Sequence, residues 1–386
     1  MSEFDLEIDR RGTDSFKWDD NKHMFGRADL MPFWVADMDF ATPPPILDAI
    51  RERCSHPVLG YGIRTDEFFD AITAWIGARH RFDVPREWLM FCPPSSIVGI
   101  FGLVTALTNK GDRILVPTPN YGPLLGLVDQ NERELVCVPM AEKDGEFSLD
   151  IDAFASYITD KTRMLIFSNP HNPTGRVFTR AELETLAAFA ADHDLFVIAD
   201  EVHSDLILPG HRHIPFVDVA DTRAVSVMSP NKTFNTAGIP QATLLIPDAD
   251  VREAFQRFLN VTQLNHESTF GAVGAVAGYR HCAAWLDRLL DYLAENHRWL
   301  SDFLRTELPR VRKISAQGTY LAWLDCRELG LPDEELMRRL VERGGVALYG
   351  GSEFGPHSAG FLRMNLACPR VRLERGAQAL AGALRD

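Results

Sequence analysis

Three short polar segments of this sequence each directly follow a run of apolar residues. They are residues 168–175 (SNPHNPTG), 200–203 (DEVH) and 229–238 (SPNKTFNTAG). A lysine in such surroundings can have its pKa lowered by burial far enough to act as a nucleophile and a base. Lys232, Asp200 and Asn172 supply an amine for an imine, an acid for a pyridinium nitrogen and an amide for a ring oxygen. Because pyridoxal 5′-phosphate (PLP) is held and tuned by such a set, the sequence predicts a PLP site with Lys232 as its Schiff-base residue.

The apolar runs around these segments predict strands that are buried on both faces. They are near-continuous rather than alternating, which is typical of a mostly parallel sheet, and comprise residues 113–117, 163–167, 195–199, 224–228 and 242–246. Between two of these runs, Thr179 and Glu182 have the spacing of a helix capping box. We therefore expect an α/β fold in which the polar segments meet at the carboxyl edge of the sheet, where ligands bind.

The last third of the chain has another pattern and predicts a smaller α+β domain. A long helix is expected over 282–306 and a second near 333–343, with short strands around 346–348 and 361–366. The predicted large, PLP-binding domain spans residues 48–280. The predicted small domain combines residues 1–47 with 281–386.

The composition of the chain argues against some classes of binding partner. The formal net charge of −14 argues against nucleic acid or an anionic membrane as the main partner. The N-terminus lacks an apolar signal core, and the six cysteines form no C-x-x-C pair, so a cytoplasmic protein with reduced thiols is expected. The one close histidine pair, His211 and His213, lies in a Gly/Pro loop without a clear third ligand, so no metal site is predicted.

Motifs spread over nearly the whole chain carry a resemblance to a known family. They are 34–40 (WVADMDF), 60–62 (GYG), 117–121 (PTPNY), 169–175, 200–203, 229–238, 319–323 (TYLAW) and 360–365 (GFLRMN). With these motifs the chain resembles the class I/II aminotransferase superfamily. The WVADMDF, DEVH and KTFNTAG forms resemble its cystathionine β-lyase (C–S lyase) and maltose-regulon modulator-like branch. The resemblance implies the PLP-dependent transferase fold of type I, a homodimer and an amino-acid substrate.

The resemblance also implies roles for single residues around the cofactor. Lys232 would hold PLP and then move the Cα proton, and Asp200 would pair with the pyridinium nitrogen. Asn172 and His203 would lie at the ring 3′-oxygen, and Tyr121 would stack on the ring. Lys232, Tyr121 and Asp200 are thereby the expected catalytic residues.

Contacts to the cofactor phosphate and to the substrate follow from the same resemblance. Ser229 and the turn Ser95-Ser96-Ile97 would hold the phosphate, the turn through backbone N–H groups at a helix start. Tyr61 would reach the phosphate of the neighbouring subunit, so that the active site is shared across a homodimer. Bidentate recognition of the substrate α-carboxylate suits Arg363, which interrupts an apolar strand. The expected substrate-binding residues are Arg363, Ala36 and Asn172.

Three positions depart from the family pattern. The phosphate turn reads Pro-Pro-Ser-Ser over 93–96, where Gly and apolar residues are usual. Asn120 and Gly122 flank Tyr121, where bulkier residues are usual, which predicts a differently shaped substrate pocket. Pro240 stands eight residues after Lys232, where many members of the superfamily carry a phosphate-binding Arg.

The predicted reaction is α,β-elimination on cystathionine or another cysteine S-conjugate, which yields a thiol, pyruvate and ammonia. One alternative is an aminotransferase, since its early steps are shared. Another is a biosynthetic PLP enzyme that acts on a large S-conjugate, by elimination or by decarboxylation coupled to oxidative deamination. A third, from another class, is a regulatory binding protein with a PLP-enzyme fold.

Overall fold

The computed structural model describes residues 2–92, 94–220 and 223–385. In these ranges the strands are β1 (Met31–Pro32), β2 (Leu89–Cys92), β3 (Arg113–Thr118), β4 (Glu134–Pro139), β5 (Ala141–Lys143), β6 (Glu146–Ser148), β7 (Thr162–Ser168), β8 (Phe196–Asp200), β9 (Ala224–Met228), β10 (Ala242–Leu245), β11 (Arg312–Lys313), β12 (Leu321–Asp325), β13 (Val346–Ala347), β14 (Tyr349–Gly350) and β15 (Phe361–Asn365).

The α-helices of the same ranges alternate with these strands through the middle of the chain. They are α1 (Phe16–Asp19), α2 (Asn21–Phe25), α3 (Pro44–Ser55), α4 (Asp66–His80), α5 (Ser96–Leu107), α6 (Gly122–Gln130), α7 (Ile151–Ala155), α8 (Arg180–Asp192), α9 (Pro230–Thr233), α10 (Ala249–Thr262), α11 (Thr269–His281), α12 (Ala283–Glu307), α13 (Asp333–Arg339) and α14 (Arg370–Leu384). No helix of the described ranges is long and apolar enough to cross a membrane.

The main sheet has the strand order β2-β10-β9-β8-β7-β3-β4. Neighbours from β9 to β4 run parallel, while β10 runs antiparallel to both β2 and β9. All five predicted strands occur, and the predicted α/β class with a mostly parallel sheet is confirmed. The carboxyl ends of β7 and β8 lie side by side, with Ser168 paired to Asp200. This edge is where the polar segments begin.

Helices cover both faces of the main sheet. Alternate residues of a strand point to opposite faces, so Leu165 and Val197 pack on one side and Ile166 and Ile198 on the other. The first side is closed by α8, which begins with the predicted capping box of Thr179 and Glu182, and the second by α5 and α10. Every residue of β8 and β9 is buried, as the near-continuous apolar runs indicated.

The last third of the chain builds a second, antiparallel sheet with the order β11-β12-β15-β14. Helices α12 and α14 pack on it through a shared apolar core. Helix α12 agrees within one residue with its predicted span, whereas the predicted helix 333–343 divides into α13 and the π-helical turn Leu340–Gly344. Strand β1 pairs with β13, which ties the N-terminal segment to this part. The predicted division into domains 48–280 and 1–47 with 281–386 stays a prediction.

Candidate active site

A cavity of about 740 Å³ opens at the carboxyl ends of β7, β8 and β9. Parallel strands end at one edge of the sheet, so the polar segments that follow them meet there although they are far apart in sequence. The cavity is lined by all but one of the predicted site residues, namely Ala36, Ser95, Ser96, Ile97, Tyr121, Asn172, Asp200, His203, Ser229, Lys232 and Arg363. The exception is Tyr61.

Lys232 lies on the single turn α9, which begins where β9 ends. Ser229 caps this turn by accepting the Asn231 N–H, and Pro230 occupies the first helical position. The Lys232 Nζ donates to the carbonyl oxygen of Ala36 at 2.8 Å. Removal from water lowers the pKa of Lys232 to about 8 against the opposing effect of nearby carboxylates. About a tenth of this amine is therefore neutral at pH 7, far more than for an ordinary lysine.

Asp200 is the last residue of β8, and its carboxylate is buried in the cavity wall. Among the described residues its Oδ1 has no hydrogen-bond partner. Burial raises the pKa of Asp200 to about 6, although the Val202 N–H and the Lys232 charge act in the opposite direction. A buried acceptor without a donor suits a ligand that brings an N–H group, such as a protonated ring nitrogen.

His203 lies one turn beyond Asp200 and is also buried. Its Nδ1 lacks a partner in the described part of the chain, and its ring contacts Tyr320 edge-on at 5.8 Å between centroids. Burial, followed by the charges of Lys232 and Arg363, lowers the pKa of His203 well below its ordinary value. The imidazole is therefore neutral and can share a proton with a ligand oxygen.

Arg363 lies in the middle of β15 with a fully buried guanidinium group. Its Nη1 donates to Asn172 Oδ1 at 3.1 Å and its Nη2 to the Trp34 carbonyl at 2.6 Å. Across residues 2–92, 94–220 and 223–385 its Nε has no acceptor and no carboxylate pairs with it. Burial lowers the pKa of Arg363 to about 10, and the group stays charged at neutral pH. A buried cation without an anion suits an anionic ligand group such as a carboxylate.

The rings of Tyr349 and Phe354 form the wall beside Arg363, with their centroids 5.2 and 5.0 Å from its Cζ. Both residues lie around the short strand β14 and the turn after it, and the sequence analysis did not single them out. Their signal was weak because single aromatic residues in loops are common and no periodicity marks them.

Tyr121 begins helix α6, and Asn120 fixes it in place. The Asn120 side chain accepts from the Tyr121 N–H at 2.8 Å and from the Ser168 hydroxyl at 3.2 Å, and donates to the Pro117 carbonyl at 3.0 Å. This departure from the family pattern thus joins the ends of β3 and β7 beneath the tyrosine ring. Burial raises the pKa of Tyr121, so its hydroxyl stays protonated.

The predicted phosphate turn lies at the start of α5. Ser95 is the N-cap, and its hydroxyl accepts the Val98 N–H at 3.2 Å, which leaves the first backbone N–H groups of the helix for an anion. Ser229 Oγ lies 2.6 Å from the Gln241 carbonyl and 2.7 Å from Asn231 Oδ1, so its hydroxyl is already engaged. Pro93, the first residue of the Pro-Pro-Ser-Ser turn, lies outside the described residues.

Tyr61 lies away from the cavity and is 88% exposed. Its ring packs against His266, with 4.9 Å between centroids. Val58, Leu59 and Ile63 are also exposed, which gives this segment an apolar surface. Within one chain, Tyr61 is therefore not brought together with the other predicted residues.

The segment 34–39 contributes two main-chain carbonyls that the sequence analysis did not anticipate. The carbonyl of Trp34 accepts from Arg363, and that of Ala36 accepts from Lys232 and from the Tyr320 hydroxyl at 2.8 Å. A buried ionic network holds the segment in place. It consists of Asp37 and Asp39, which pair with Arg10, Lys17 and Arg372.

The cavity's donors and acceptors fit PLP. Asp200 offers an unpaired acceptor for the ring nitrogen, the Asn172 amide nitrogen is free of partners in the described chain, and the start of α5 offers N–H groups for a phosphate. Within the same described ranges, no group of three or more His, Cys, Asp or Glu could hold a metal ion.

Comparison with known proteins identifies the family. The sequence model of the family described as aminotransferase class I and II matches residues 28–380. This chain belongs to that family. The superfamily resemblance of the sequence is thereby confirmed.

Similar proteins lie in the lyase branch. Cystathionine beta-lyase PatB from Bacillus subtilis (strain 168) is 36% identical, over 99% of this chain and 99% of its own. Protein MalY from Escherichia coli (strain K12) is 32% identical, over 100% of this chain and 99% of its own. The crystal structure of the PLP-bound C-S lyase from Staphylococcus hominis superposes with a TM-score of 0.93 at 32% identity, covering 99% of this chain and 98% of that one. The similarity to the lyase branch that the motifs indicated is confirmed.

Proposed function

We propose that this protein is a PLP-dependent carbon–sulfur β-lyase that cleaves cystathionine or another L-cysteine S-conjugate into a thiol, pyruvate and ammonia. The observation that carries the proposal is that two buried basic side chains line the same cavity. Lys232 has an amine that is partly neutral near pH 7, and Arg363 has a guanidinium without an anion. A base for Cα and a clamp for the α-carboxylate are what the reaction requires of the protein.

Arg363 positions the substrate. It binds the α-carboxylate through its free Nε and its Nη groups, and Asn172 keeps the guanidinium in place from the other side. The Tyr349 and Phe354 rings both pack against the guanidinium, with 6.3 Å between their own centroids. With the carboxylate fixed, Cα lies within reach of Lys232, so the proton to be removed faces the base.

Lys232 moves the proton. Bound PLP supplies an electron-withdrawing ring that makes the Cα proton acidic. Neutral Lys232 Nζ accepts this proton, the sulfur leaves Cβ with its bonding electrons as a thiolate, and a double bond forms between Cα and Cβ. Water then hydrolyses the released enamine to pyruvate and ammonia. The Ala36 carbonyl accepts from Nζ at 2.8 Å and so orients the amine.

The remaining side chains hold the cofactor in the proposed complex. Asp200 keeps the proton on the ring nitrogen, since its Oδ1 is a buried acceptor without another donor. Asn172 and His203 would donate to or share a proton with the ring 3′-oxygen, and Tyr121 would pack on the ring. Residues 95–97 hold the phosphate at the start of α5, where the helix dipole favours an anion.

We propose that the working form is a cytoplasmic homodimer in which Tyr61 completes the partner's site. Exposed Val58, Leu59, Tyr61 and Ile63 form an apolar surface of the kind that subunit interfaces cover. All six cysteines are unpaired, which is typical of a reducing compartment.

A mixing experiment tests the shared site. Tyr61→Ala and Lys232→Ala protein are each expected to be inactive as homodimers. After the two are mixed and allowed to exchange subunits, heterodimers contain one intact site, so about a quarter of wild-type activity returns if the site is shared across a twofold interface. If mixing restores no activity although exchange is demonstrated, Tyr61 does not act across the interface.

The reaction itself is tested by incubating purified, PLP-loaded protein with L-cystathionine. Pyruvate and thiol are expected in equal amounts without any added keto acid, and Lys232→Ala should abolish both. A keto acid that appears only when a second keto acid is added as acceptor would instead identify an aminotransferase.

A further inference from the structure

One acidic side chain at the opening of the cavity has no partner. Glu353 lies on the short turn Gly351–Phe354 after β14, is exposed, and lines the cavity. Among the described residues its carboxylate makes no hydrogen bond and no ion pair. The other acid of the cavity lining is Asp200, which is buried at the opposite, cofactor end.

Backbone contacts fix the position of Glu353. Its carbonyl oxygen lies 2.6 Å from where a Cβ on residue 122 would stand, so Gly122 is what permits the turn to approach. On the next residue, the Phe354 carbonyl accepts the Asn120 N–H at 2.8 Å. The two unusual residues that flank Tyr121 thus bring the turn with Glu353 to the cavity.

The cations of the cavity lining are committed to its inner end. They are Lys232 and Arg363, and Arg363 is bound to Asn172 and the Trp34 carbonyl. No basic side chain of the described lining neutralises Glu353. The cavity is therefore polarised, with positive charge where the α-carboxylate binds and negative charge at the opening.

Aromatic rings continue from the inner wall to the opening. Phe16, which is 56% exposed and lines the cavity, packs edge-on against Trp34, and Trp34 packs edge-on against Tyr349. A carboxylate and aromatic rings that line the same cavity, here Glu353 with Phe16 and Tyr349, are a combination that binds organic cations. The opening thus offers two independent attractions for a positively charged group.

We infer that Glu353 selects cysteine conjugates whose S-linked substituent ends in a cationic nitrogen group, such as a protonated amine, guanidinium or imidazolium. The inference rests on the proposed function for the reacting end of the substrate, which Lys232 and Arg363 bind. It assigns the far end, where Glu353 binds the cation while Phe16 and Tyr349 cover its apolar stem.

The direct test compares isosteric conjugates on the PLP-loaded enzyme. We expect S-(2-aminoethyl)- and S-(4-aminobutyl)-L-cysteine to have a kcat/KM for pyruvate release about two- to fivefold above the neutral S-propyl and S-pentyl conjugates, since an exposed ion pair is worth this much. In Glu353→Gln the ratio of amine to neutral conjugate should fall to about one. In Glu353→Lys the ratio should invert, with S-(2-carboxyethyl)-L-cysteine now preferred.

Glu334→Gln is the matched control. Glu334 is an exposed acid of α13 that lies outside the cavity lining, so the wild-type ratio should persist in this variant. Raising the salt concentration should reduce the wild-type preference, because exposed charges are screened. Equal kcat/KM for amine and neutral conjugates in the wild type, or a preference that survives in Glu353→Gln, would overturn the inference.

A binding measurement separates this inference from the proposed reaction. L-Lysine and L-2-aminoheptanoate are isosteric, differ in the terminal charge and have a methylene in place of sulfur, so no thiol can leave. Calorimetry on the PLP-loaded enzyme should give a Kd for L-lysine about two- to fivefold below that for L-2-aminoheptanoate, and a ratio near one in Glu353→Gln. If every conjugate resists cleavage but this difference holds, the lyase proposal fails and the charge selection stands. If conjugates are cleaved without any charge preference in rate or binding, only the selection fails.

Discussion

Two clusters of buried charges lie side by side in this protein, and they differ in how completely their members are paired. The anchor cluster holds the segment 34–39, and the pocket cluster lines the inner cavity. The anchor cluster consists of Arg10, Lys17, Asp37, Asp39 and Arg372, and the pocket cluster of Asp200, His203, Lys232 and Arg363. Lys17, Asp39 and Arg372 are buried like the pocket cluster, while Arg10 and Asp37 keep 23% and 17% of their side-chain surface exposed. The different pairing of the buried members reflects different tasks.

In the anchor cluster each carboxylate faces more than one cation. Asp39 lies 2.9 Å from Arg10, 3.1 Å from Lys17 and 3.2 Å from Arg372, and it also accepts from Trp18 at 3.0 Å. Burial alone would raise the pKa of Asp39, but Lys17 and Arg372 outweigh that effect and hold the pKa below its ordinary value. Every charged group of the cluster thus has an oppositely charged partner, although Arg372 Nη1 is paired with Asp39 without a hydrogen bond. Such a network fixes backbone position.

In the pocket cluster, Asp200 Oδ1, His203 Nδ1 and Arg363 Nε all lack partners among the described residues. An unsatisfied buried polar group destabilises the folded state by about 1–3 kcal/mol. These atoms therefore destabilise the fold unless a ligand forms hydrogen bonds with them. The contrast distinguishes buried charges that stabilise the fold from buried charges that a ligand is expected to pair. The two clusters are adjacent because the segment 34–39, which the anchor cluster holds, carries the carbonyl of Ala36 that accepts from Lys232.

The largest effect is expected from Lys232→Ala, which removes the base, while the Ala36 carbonyl keeps the Tyr320 hydroxyl as a donor. Activity in the pyruvate assay should fall about 10³-fold or more, as expected for the loss of a general base and of the cofactor's attachment point. In cofactor-free protein the thermal midpoint of unfolding should not fall, because burial of this amine does not stabilise the fold. Lys313→Ala is the control: burial lowers the pKa of Lys313 to about 8 as well, but Lys313 lies outside the cavity lining and its removal should leave activity intact.

Asp39→Asn should have the opposite effect to Lys232→Ala: its main consequence should be a loss of folding stability rather than of catalytic activity. Removing one partner of a buried ionic network typically costs about 3–5 kcal/mol, because the cations Lys17 and Arg372 are left without compensation. Urea denaturation measures the change. Asp9→Asn, which breaks the exposed pair with Arg11, should leave the midpoint unchanged. An equally stable Asp39→Asn protein would contradict the structural role of the anchor cluster.

The same cluster gives the wild type an acid dependence of defined sign. Because the folded-state pKa of Asp39 lies below the unfolded value of about 3.9, its contribution is fully present above that pH and is lost as the pH falls further. The difference in stability between wild type and Asp39→Asn should therefore shrink in acid below about pH 4. A difference that grows in acid would contradict the lowered pKa.

The sequence predicted the elements that carry local signals. The run 195–199 is apolar throughout and the run 163–167 is apolar after Arg163. Each is followed by polar residues, so their burial and the position of Asn172 and Asp200 at one sheet edge could be anticipated. The direction of a strand is not encoded in such a run. Strand β10 looks like its neighbours in sequence and yet runs antiparallel to them.

The remaining features of the site depend on long-range packing and have no signature in sequence. The Ala36 carbonyl meets a lysine that is 196 positions away. Any residue has such a carbonyl, so its type could not indicate the contact. Gly122 was recognised as a departure, but that it admits the backbone of Glu353 follows only from the folded chain.

Arg363→Lys tests whether the pocket cluster needs a guanidinium or only a charge. An ammonium cannot keep the contacts to Asn172 and Trp34 and also offer two donors to a carboxylate, so KM should rise about 10- to 100-fold with a smaller change in kcat. Arg327→Lys is the control, because Arg327 is paired with Asp325 and Glu142 and belongs to neither cluster. A rise in KM of the same size in both variants would mean that the effect is not specific to the pocket.

The smallest effect is the pH dependence of Lys232 reactivity in protein freed of cofactor. Its folded-state pKa of about 8 lies below the ordinary value, so the neutral, reactive amine increases as the pH rises towards 8 and is nearly complete above 9. Modification of Lys232 by an amine-reactive reagent, followed by mass spectrometry, should accelerate about tenfold between pH 7 and 9 and then level off. An ordinary lysine would accelerate about a hundredfold over the same interval and continue to rise. A rate that still climbs steeply above pH 9 would mean that burial does not lower the pKa of this amine. The Lys232 amine would then be stabilised in its charged form, like the paired cations of the anchor cluster.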